Sequence, residues 1–456
     1  MTSPAPPARD SSRSDLFHLG GACLVLVLGI WANSGTLNPL AVTLDHPLVW
    51  EPCKYLLNID HFHHKATFLM LDGAPRESWR FSVVLRRILY PLVTYPFMKL
   101  LGFEYGGILV NVLLVLGSVA AFWYAARRRF PSGFSRAALW LLAAYPGFFY
   151  WASSPYGYAT IVPLSLLSLV LLWRLQDVAT WQGALLHGLV LGVLFTAYDL
   201  VLFFGVAGVL LLLHRRLWRA SAAFAVAQLL PQVLALTVLY EVFDVPLRNA
   251  NSEIYGVIVG SYLSRIDGRT WSLLLAKVPG ALVDNYLYGN FLFLPLLFTL
   301  GLWLATRTPG ERPALEPAER CVLLAALLLF LFTNLAPPYH GWQMRGSWIS
   351  RLYQPMGVVM VAFLGRLYAH ARQLPRPLRL AAGSALALAV ALNLWVVFSP
   401  LFAPVLGSPL LSAALYRGFY LHNKQTWSYV DNLKRYGSRP LGFCASPPSS
   451  AATVTH

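Results

Sequence analysis

Asp45, Glu51, Asp60, Asp72 and Glu77 lie close together in the first quarter of the chain, interleaved with His46, His61, His63 and His64. The same stretch contains Lys54 and closes on Arg76, Arg80, Arg86 and Arg87. Carboxylates beside clustered guanidinium groups supply two halves of a group transfer to a hydroxyl. One acid, Glu51 or Asp60, can accept the proton of an attacking hydroxyl, while arginines neutralise a phosphate that leaves. A second basic and aromatic segment follows much later: His340, Trp342, Arg345, Arg351 and Tyr353 precede an apolar run. Arg345 and Arg351 have the planar forks that suit a phosphate, with His340 and Tyr353 as neighbouring polar contacts. For any single one of these residues, a solvated loop charge or an interfacial anchor is the competing reading.

Asp60 with His61, His63 and His64 also raises the question of a metal. Adjacent residues of an extended segment point to opposite faces, and no second cluster at ligand spacing occurs elsewhere, so no metal site is assigned and a divalent requirement stays open. The four cysteines (Cys23, Cys53, Cys321, Cys444) form no CxxC pair. Cys53 and Cys444 fall on the same side of the topology below, where a disulfide is chemically permitted.

The elements that must hold these groups are membrane helices. Of the 456 residues 57% are hydrophobic and only 12% charged, too little charge to clothe a soluble surface. The net charge of +16 would suggest nucleic acid in a soluble protein. Here the basic residues sit between apolar runs, which points to anionic lipid or a phosphate-bearing lipid substrate. The expected architecture is all-α and polytopic, with about eleven transmembrane helices near 16–33, 106–126, 135–153, 156–173, 184–197, 200–213, 220–241, 286–306, 320–336, 354–371 and 379–399. Arg9 and Arg13 before the first run also fit a signal peptide, but Ala32-Asn33-Ser34-Gly35 lacks a small-x-small cleavage pattern and a retained helix is expected.

Basic residues in alternate short connections set the orientation: Arg127–Arg129 with Arg136, then Arg174, Arg215 with Arg216 and Arg219, Arg307 with Arg312, and Arg372 with Arg376 and Arg379. The positive-inside rule puts these in the cytoplasm together with a disordered N-terminus, residues 1–15. The membrane domain, 16–399, then exposes a large first extracytoplasmic loop at 34–105, a second at 242–285 and a third at 337–353, and the tail 400–456 lies outside. Two segments decide the parity. The run Leu185–Leu213, broken only by His187 and Asp199, has basic residues on both flanks, so it is expected to be a hairpin of two short arms that turns at Tyr198-Asp199 below the outer surface. Such a turn is tolerated only where it lines a cavity or is buried in protein, and an acid at that depth is a functional candidate, here as part of a cavity floor. The stretch Phe81–Leu101 carries Arg86, Arg87, Lys99, Pro91 and Pro96 and is expected to lie along the outer interface.

In this order, these features resemble the GT-C superfamily of integral membrane glycosyltransferases, and most closely the bacterial relatives of the GPI mannosyltransferase PIG-V type. The family's Trp-Asp-x-x-x-Tyr-like motif is matched by Trp50-Glu51-Pro52-Cys53-Lys54-Tyr55, with Glu in place of Asp. Its Arg-Arg-x-x-Tyr-Pro segment is matched by Arg86-Arg87-Ile88-Leu89-Tyr90-Pro91. Leu109-Val110-Asn111, Tyr145-Pro146-Gly147-Phe148-Phe149, Ser154-Pro155-Tyr156 and Arg351-Leu352-Tyr353-Gln354-Pro355 continue the likeness. The resemblance implies an inverting transfer of a sugar from a polyprenyl-phosphate donor to a glycan, lipid or protein acceptor at the outer face of a bacterial inner membrane. Glu51 or Asp60 would be the base, and Arg86, Arg87, Arg345 and Arg351 would hold the lipid phosphate.

Three other functions fit parts of the sequence. A transporter or flippase for a lipid-linked or anionic substrate would suit the bundle, but the chain shows no internal repeat and its acids cluster in outer loops. A transferase of the O-antigen-ligase kind would shift the chemistry to His340 and Arg345. An inactive assembly scaffold has no residue arguing for it directly.

Overall fold

A computed structural model describes residues 12–33, 67–76, 79, 85–130, 132–152, 157–245, 293–307, 315–335, 354–370 and 375–402. Thirteen α-helices and one short 3-10 turn make up the elements with defined bounds, and no strand occurs among the described residues. In chain order they are α1 Ser12–Asn33, α2 Leu89–Leu101, α3 Phe103–Arg129, α4 Ser132–Ala143, α5 Pro146–Ala152, the 3-10 turn Gly157–Thr160, α6 Ile161–Leu175, α7 Trp181–Phe195, α8 Val201–His214, α9 Trp218–Glu241, α10 Phe293–Arg307, α11 Pro317–Leu335, α12 Gln354–His370 and α13 Arg376–Phe402.

Among the described residues, five segments are long and apolar enough to cross a membrane: Ser14–Trp31, Tyr105–Arg129, Gly157–Leu175, Trp218–Glu241 and Arg376–Trp395. Large apolar side chains stand exposed along them, for example Leu24 and Leu28 on α1 and Val226, Leu229, Val233 and Leu234 on α9. Only lipid can cover such stripes in a bundle of this composition, and the chain is an integral membrane protein. The segment containing α6 is 78% buried and runs through the centre, whereas that of α13 is 11% buried and lies at the periphery. Trp173 of α6 meets Phe122 and Phe130, which in turn meet Phe134, and these rings fill the middle of the core.

The segment expected to span 135–153 is instead two helices. The break falls at Ala144-Tyr145, before Pro146, which has no N–H to continue the ladder of α4. Tyr145 turns inward there, and its hydroxyl donates to the Gln354 side-chain carbonyl at the start of α12. The Leu185–Leu213 run forms two helices, α7 and α8, with a turn over 196–200. Contacts to α9 fix their directions. A Cβ at Gly188 would meet Phe224 and one at Gly192 would meet Gln228, so α7 runs parallel to α9. Gly205 faces Gln228 and Gly208 faces Phe224, so α8 runs antiparallel. The two arms therefore form a hairpin, as expected. At 1.5 Å per residue each arm rises only about 21–22 Å, short of the ~30 Å hydrocarbon thickness, while α9 continues to about 36 Å.

Among the described residues, Arg127, Arg129, Arg136 and Arg215 of these alternate connections gather at one end of the bundle. Asp15, in the first turn of α1, accepts from Arg136 Nε at 2.7 Å and lies 3.6 Å from Arg127. Arg129 reaches Asp177 at 2.8 Å and Glu316 at 3.2 Å, and Arg215 donates to the Val178 carbonyl at 2.6 Å. These bonds join the first turns of α1, α4 and α11 to the last turns of α3, α6 and α8, so successive segments alternate in direction. Beneath them Glu319 takes a bidentate pair from Arg366, with Nη1 to Oε1 at 2.6 Å, and accepts from Trp173 Nε1. Glu319 also accepts the Glu316 N–H, so its side chain satisfies one backbone donor at the start of α11, beside Pro317.

The stretch expected to be interfacial is helical over α2, which begins at Leu89. Its Leu92, Val93, Leu100 and Leu101 face outward, and Tyr90, Thr94 and Met98 pack inward. Gly102 (φ +84°) turns the chain sharply into α3, where a Cβ at Gly106 would sit 2.5 Å from the Phe97 carbonyl oxygen.

Candidate active site at the hairpin tip

Arg86 and Arg87 both converge on Asp199. Arg86 donates Nε to Oδ1 at 3.1 Å and Nη2 to Oδ2 at 2.9 Å. Arg87 donates Nε and Nη2 to Oδ2 at 3.0 and 2.6 Å. The side chains of Arg86 and Arg87 are 5% and 13% exposed and that of Asp199 is 26% exposed, so the group is nearly closed to solvent. Neighbouring residues in a regular strand point to opposite faces. Here the chain turns at Leu85-Arg86 and brings both guanidinium groups to one carboxylate.

The hairpin tip supports this pair at further points. Arg87 lies 4.5 Å over the Tyr198 ring, and Tyr198 in turn meets Tyr158 edge-on at 6.1 Å. The Leu89 N–H donates to the Thr196 carbonyl at 3.3 Å. Gln232 of α9 directs its Nε2 to the Arg86 carbonyl at 3.5 Å, while its buried Oε1 has no hydrogen-bond partner among the described residues. The buried Nε2 of Gln228, one turn below, likewise has no partner among the described residues. A turn and a polar stripe at this depth are held by protein contacts, which is the condition under which irregular backbone survives inside a bilayer.

Above the tip, α9 rises beyond the hairpin and receives part of the first loop. Met70, Trp79 and Leu85 pack with Leu239 and Val245 in a separate small core, Phe243 stacks edge-on to Trp79, and Trp79 Nε1 donates to the Ala74 carbonyl. Thus the segment that carries Arg86 and Arg87 is clamped between this small core and α2. Tyr90 of α2 donates to Asn111 Oδ1 at 2.9 Å, and Asn111 Nδ2 donates to the Ala152 carbonyl at 3.0 Å. Near the C-terminal end of α2, Lys99 and the Tyr95 hydroxyl both reach Asp72, at 2.5 and 2.7 Å, and hold its carboxyl below the usual carboxylate range.

The structure thus brings together three of the residues singled out in the sequence: Arg86, Arg87 and Asp199. Glu51, Lys54, Asp60, His340, Arg345, Arg351 and Tyr353 lie outside the described residues, as do His61, His63, His64, Cys53 and Cys444. Among the described residues no group of three or more metal-ligating side chains occurs. Tyr198 is expected from sequence only as part of the turn, not as a support for Arg87, and Tyr158 and Gln232 are not singled out, since nothing local distinguishes Gln232 from any other polar residue of a spanning helix.

No protein-family model and no curated protein matches the sequence. Solved structures do. ArnT from Cupriavidus metallidurans bound to undecaprenyl phosphate aligns over 94% of this chain and 79% of its own length, with a TM-score of 0.51 at 15% identity. The same protein in its apo state aligns over 82% of this chain and 72% of its own, with a TM-score of 0.43 at 18% identity. The chain therefore shares the fold of ArnT.

Proposed function

We propose that this protein is a membrane glycosyltransferase that moves a sugar from a polyprenyl-phosphate-linked donor to an acceptor hydroxyl, with inversion, at the extracytoplasmic face of the bacterial inner membrane. The observation that carries this reading is the paired Arg86 and Arg87, fixed at membrane depth on a fold whose solved counterpart was crystallised with undecaprenyl phosphate. Two guanidinium groups against one carboxylate leave the trio with a net positive charge, and in a low-dielectric setting such a site favours a second anion. A phosphate on a long isoprenoid tail meets both demands, because its head needs the arginines and its tail needs the lipid.

In the reaction, Glu51 or Asp60 accepts the proton of the acceptor hydroxyl as its oxygen attacks the anomeric carbon. The bond from that carbon to the phosphate oxygen breaks, and the electron pair leaves with the polyprenyl phosphate. Arg86 and Arg87, joined by Arg345 and Arg351 of the late loop, stabilise the charge that develops there. Lys54, His340 and Tyr353 stand as further contacts to the head group. The orientation that puts Arg127, Arg129, Arg136 and Arg215 in the cytoplasm puts this chemistry outside, where a basic excess suits an anionic donor.

The test is transfer in proteoliposomes from a panel of radiolabelled polyprenyl-phosphate sugars. Glu51→Gln or Asp60→Asn is expected to abolish transfer while the protein still inserts and elutes as wild type. Undiminished transfer in both variants would refute a first-loop base. Movement of solute across vesicles that hold no lipid-linked sugar would favour the transporter instead.

A further inference from the structure

We infer that Asp199 is a positioning residue for the arginine pair, and that it strengthens binding of a lipid phosphate although its own charge repels one. This rests on the reading above, in which Arg86 and Arg87 receive that phosphate.

The geometry separates holding from binding. Asp199 takes the Nε and Nη2 edge of each arginine, so both forks are fixed from the same side. The Nη1 group of Arg87 remains outside that fork. The flat face of Arg87 lies on Tyr198, and Tyr198 is braced by Tyr158, so the guanidinium is fixed in its plane and across it. The backbone of the same segment is tied to the tip by the Leu89 N–H to the Thr196 carbonyl and to α9 by Gln232. Two adjacent guanidinium groups in a nearly dry site repel each other, and without the carboxylate they would splay. Residues 196–199 therefore act as the template on which the cation pair is built, and the short hairpin arms set the depth of that template.

Charge alone and positioning predict opposite signs for Asp199→Asn. Removing a negative charge beside an anion site should tighten phosphate binding, whereas removing the anchor of two arginines should weaken it. The experiment is binding of a polyprenyl monophosphate, carrying no sugar, to the full chain purified in detergent. The variants compared are Asp199→Asn, Asp199→Glu, Arg87→Gln and Arg87→Gln/Asp199→Asn. Expected is a loss of about tenfold in affinity for Asp199→Asn, a smaller loss for Asp199→Glu, and a loss in the double variant smaller than the sum of the two single losses, because only the anchoring of Arg86 is still there to lose. Tyr198→Leu removes the support under Arg87 without changing any charge, and is expected to weaken binding several-fold even if the Asn variant fails to fold. Equal or tighter binding by Asp199→Asn, additive losses in the double variant, or unchanged binding by Tyr198→Leu would each overturn the inference. Failure of the wild type to bind the lipid phosphate would instead overturn the functional reading on which it rests.

Discussion

Oδ2 of Asp199 accepts both Nε and Nη2 of Arg87, at 3.0 and 2.6 Å, across 112 positions of sequence. This contact joins the end of the first loop to the tip of a helix hairpin and places the arginine pair at its depth in the bundle. A fork of this kind depends on the planar guanidinium, and a lysine in its place offers only a point charge. Arg87→Lys is therefore expected to lower kcat/KM for transfer by about tenfold or more while preserving the net charge. Steady-state kinetics with varied donor will show it, and wild-type kinetics would remove Arg87 from the site.

Tyr90→Phe takes away the donor to Asn111 Oδ1 in a buried setting and loosens the join between α2, α3 and the Ala152 carbonyl of α5. The expected cost is about 1–2 kcal/mol. A lower melting temperature in detergent should accompany it, and an unchanged value would mean that another group replaces the phenol.

Both ends of the architecture were legible in sequence for physical reasons that differ from one another. The hairpin could be read because Arg174 and Arg215 flank an apolar run too long for one crossing, and the orientation rule needs no knowledge of packing. The arginine pair could be read from residue type. Its partner could not, since hydropathy marks Asp199 as unusual but says nothing about which of many arginines reaches it. The pairs Glu319–Arg366 and Asp15–Arg136 were hidden in the same way, because an acid in a first helical turn has an adequate local explanation in the helix dipole. The split between α4 and α5 was missed because Tyr145-Pro146-Gly147 sits inside an unbroken apolar run, and a count of hydropathy does not register a missing N–H.

Close contact of α7 with α9 depends on the absence of side chains at Gly188 and Gly192. A Cβ at Gly192 would lie 2.4 Å from the Gln228 carbonyl oxygen and 2.8 Å from Pro231 Cδ, neither of which can swing away. Gly192→Ala must push two helices apart, at a cost of about 1–3 kcal/mol. Since Gln232 is one turn farther along α9, the same variant should weaken transfer as well as lower the melting temperature. Wild-type stability would show that the two helices are less tightly seated.

The Asp72–Lys99 contact gives a pH-dependent readout near the C-terminal end of α2. Asp72 is held below the ordinary carboxylate range, first by its hydrogen bond from Lys99 and then by Tyr95, so the contact is intact above about pH 4 and is lost as pH falls through the lowered value. The same hydrogen bond raises the Lys99 amine, which keeps it protonated to higher pH. Asp72→Asn is expected to move the pH profile of Lys99 acylation to lower pH, measured by peptide mapping after brief labelling. An unmoved profile would mean that the pair does not form in the bilayer.

Glu319 and Arg366 are both buried and form an ion pair beneath Trp173. Breaking such a pair from one side leaves a charge in a dry core, whereas removing both leaves only a packing problem. Arg366→Met alone is therefore expected to cost about 3–5 kcal/mol, enough to reduce the yield of folded protein sharply. Glu319→Gln combined with Arg366→Met should recover much of that loss, because no charge is left in the core, although the single amide oxygen keeps only one of the bonds from Trp173 Nε1 and the Glu316 N–H, which end on different carboxylate oxygens. Thermal unfolding of the three proteins in the same detergent decides it. If the double variant is as unstable as the single one, the side chains matter through their shape, and the charge pairing contributes little.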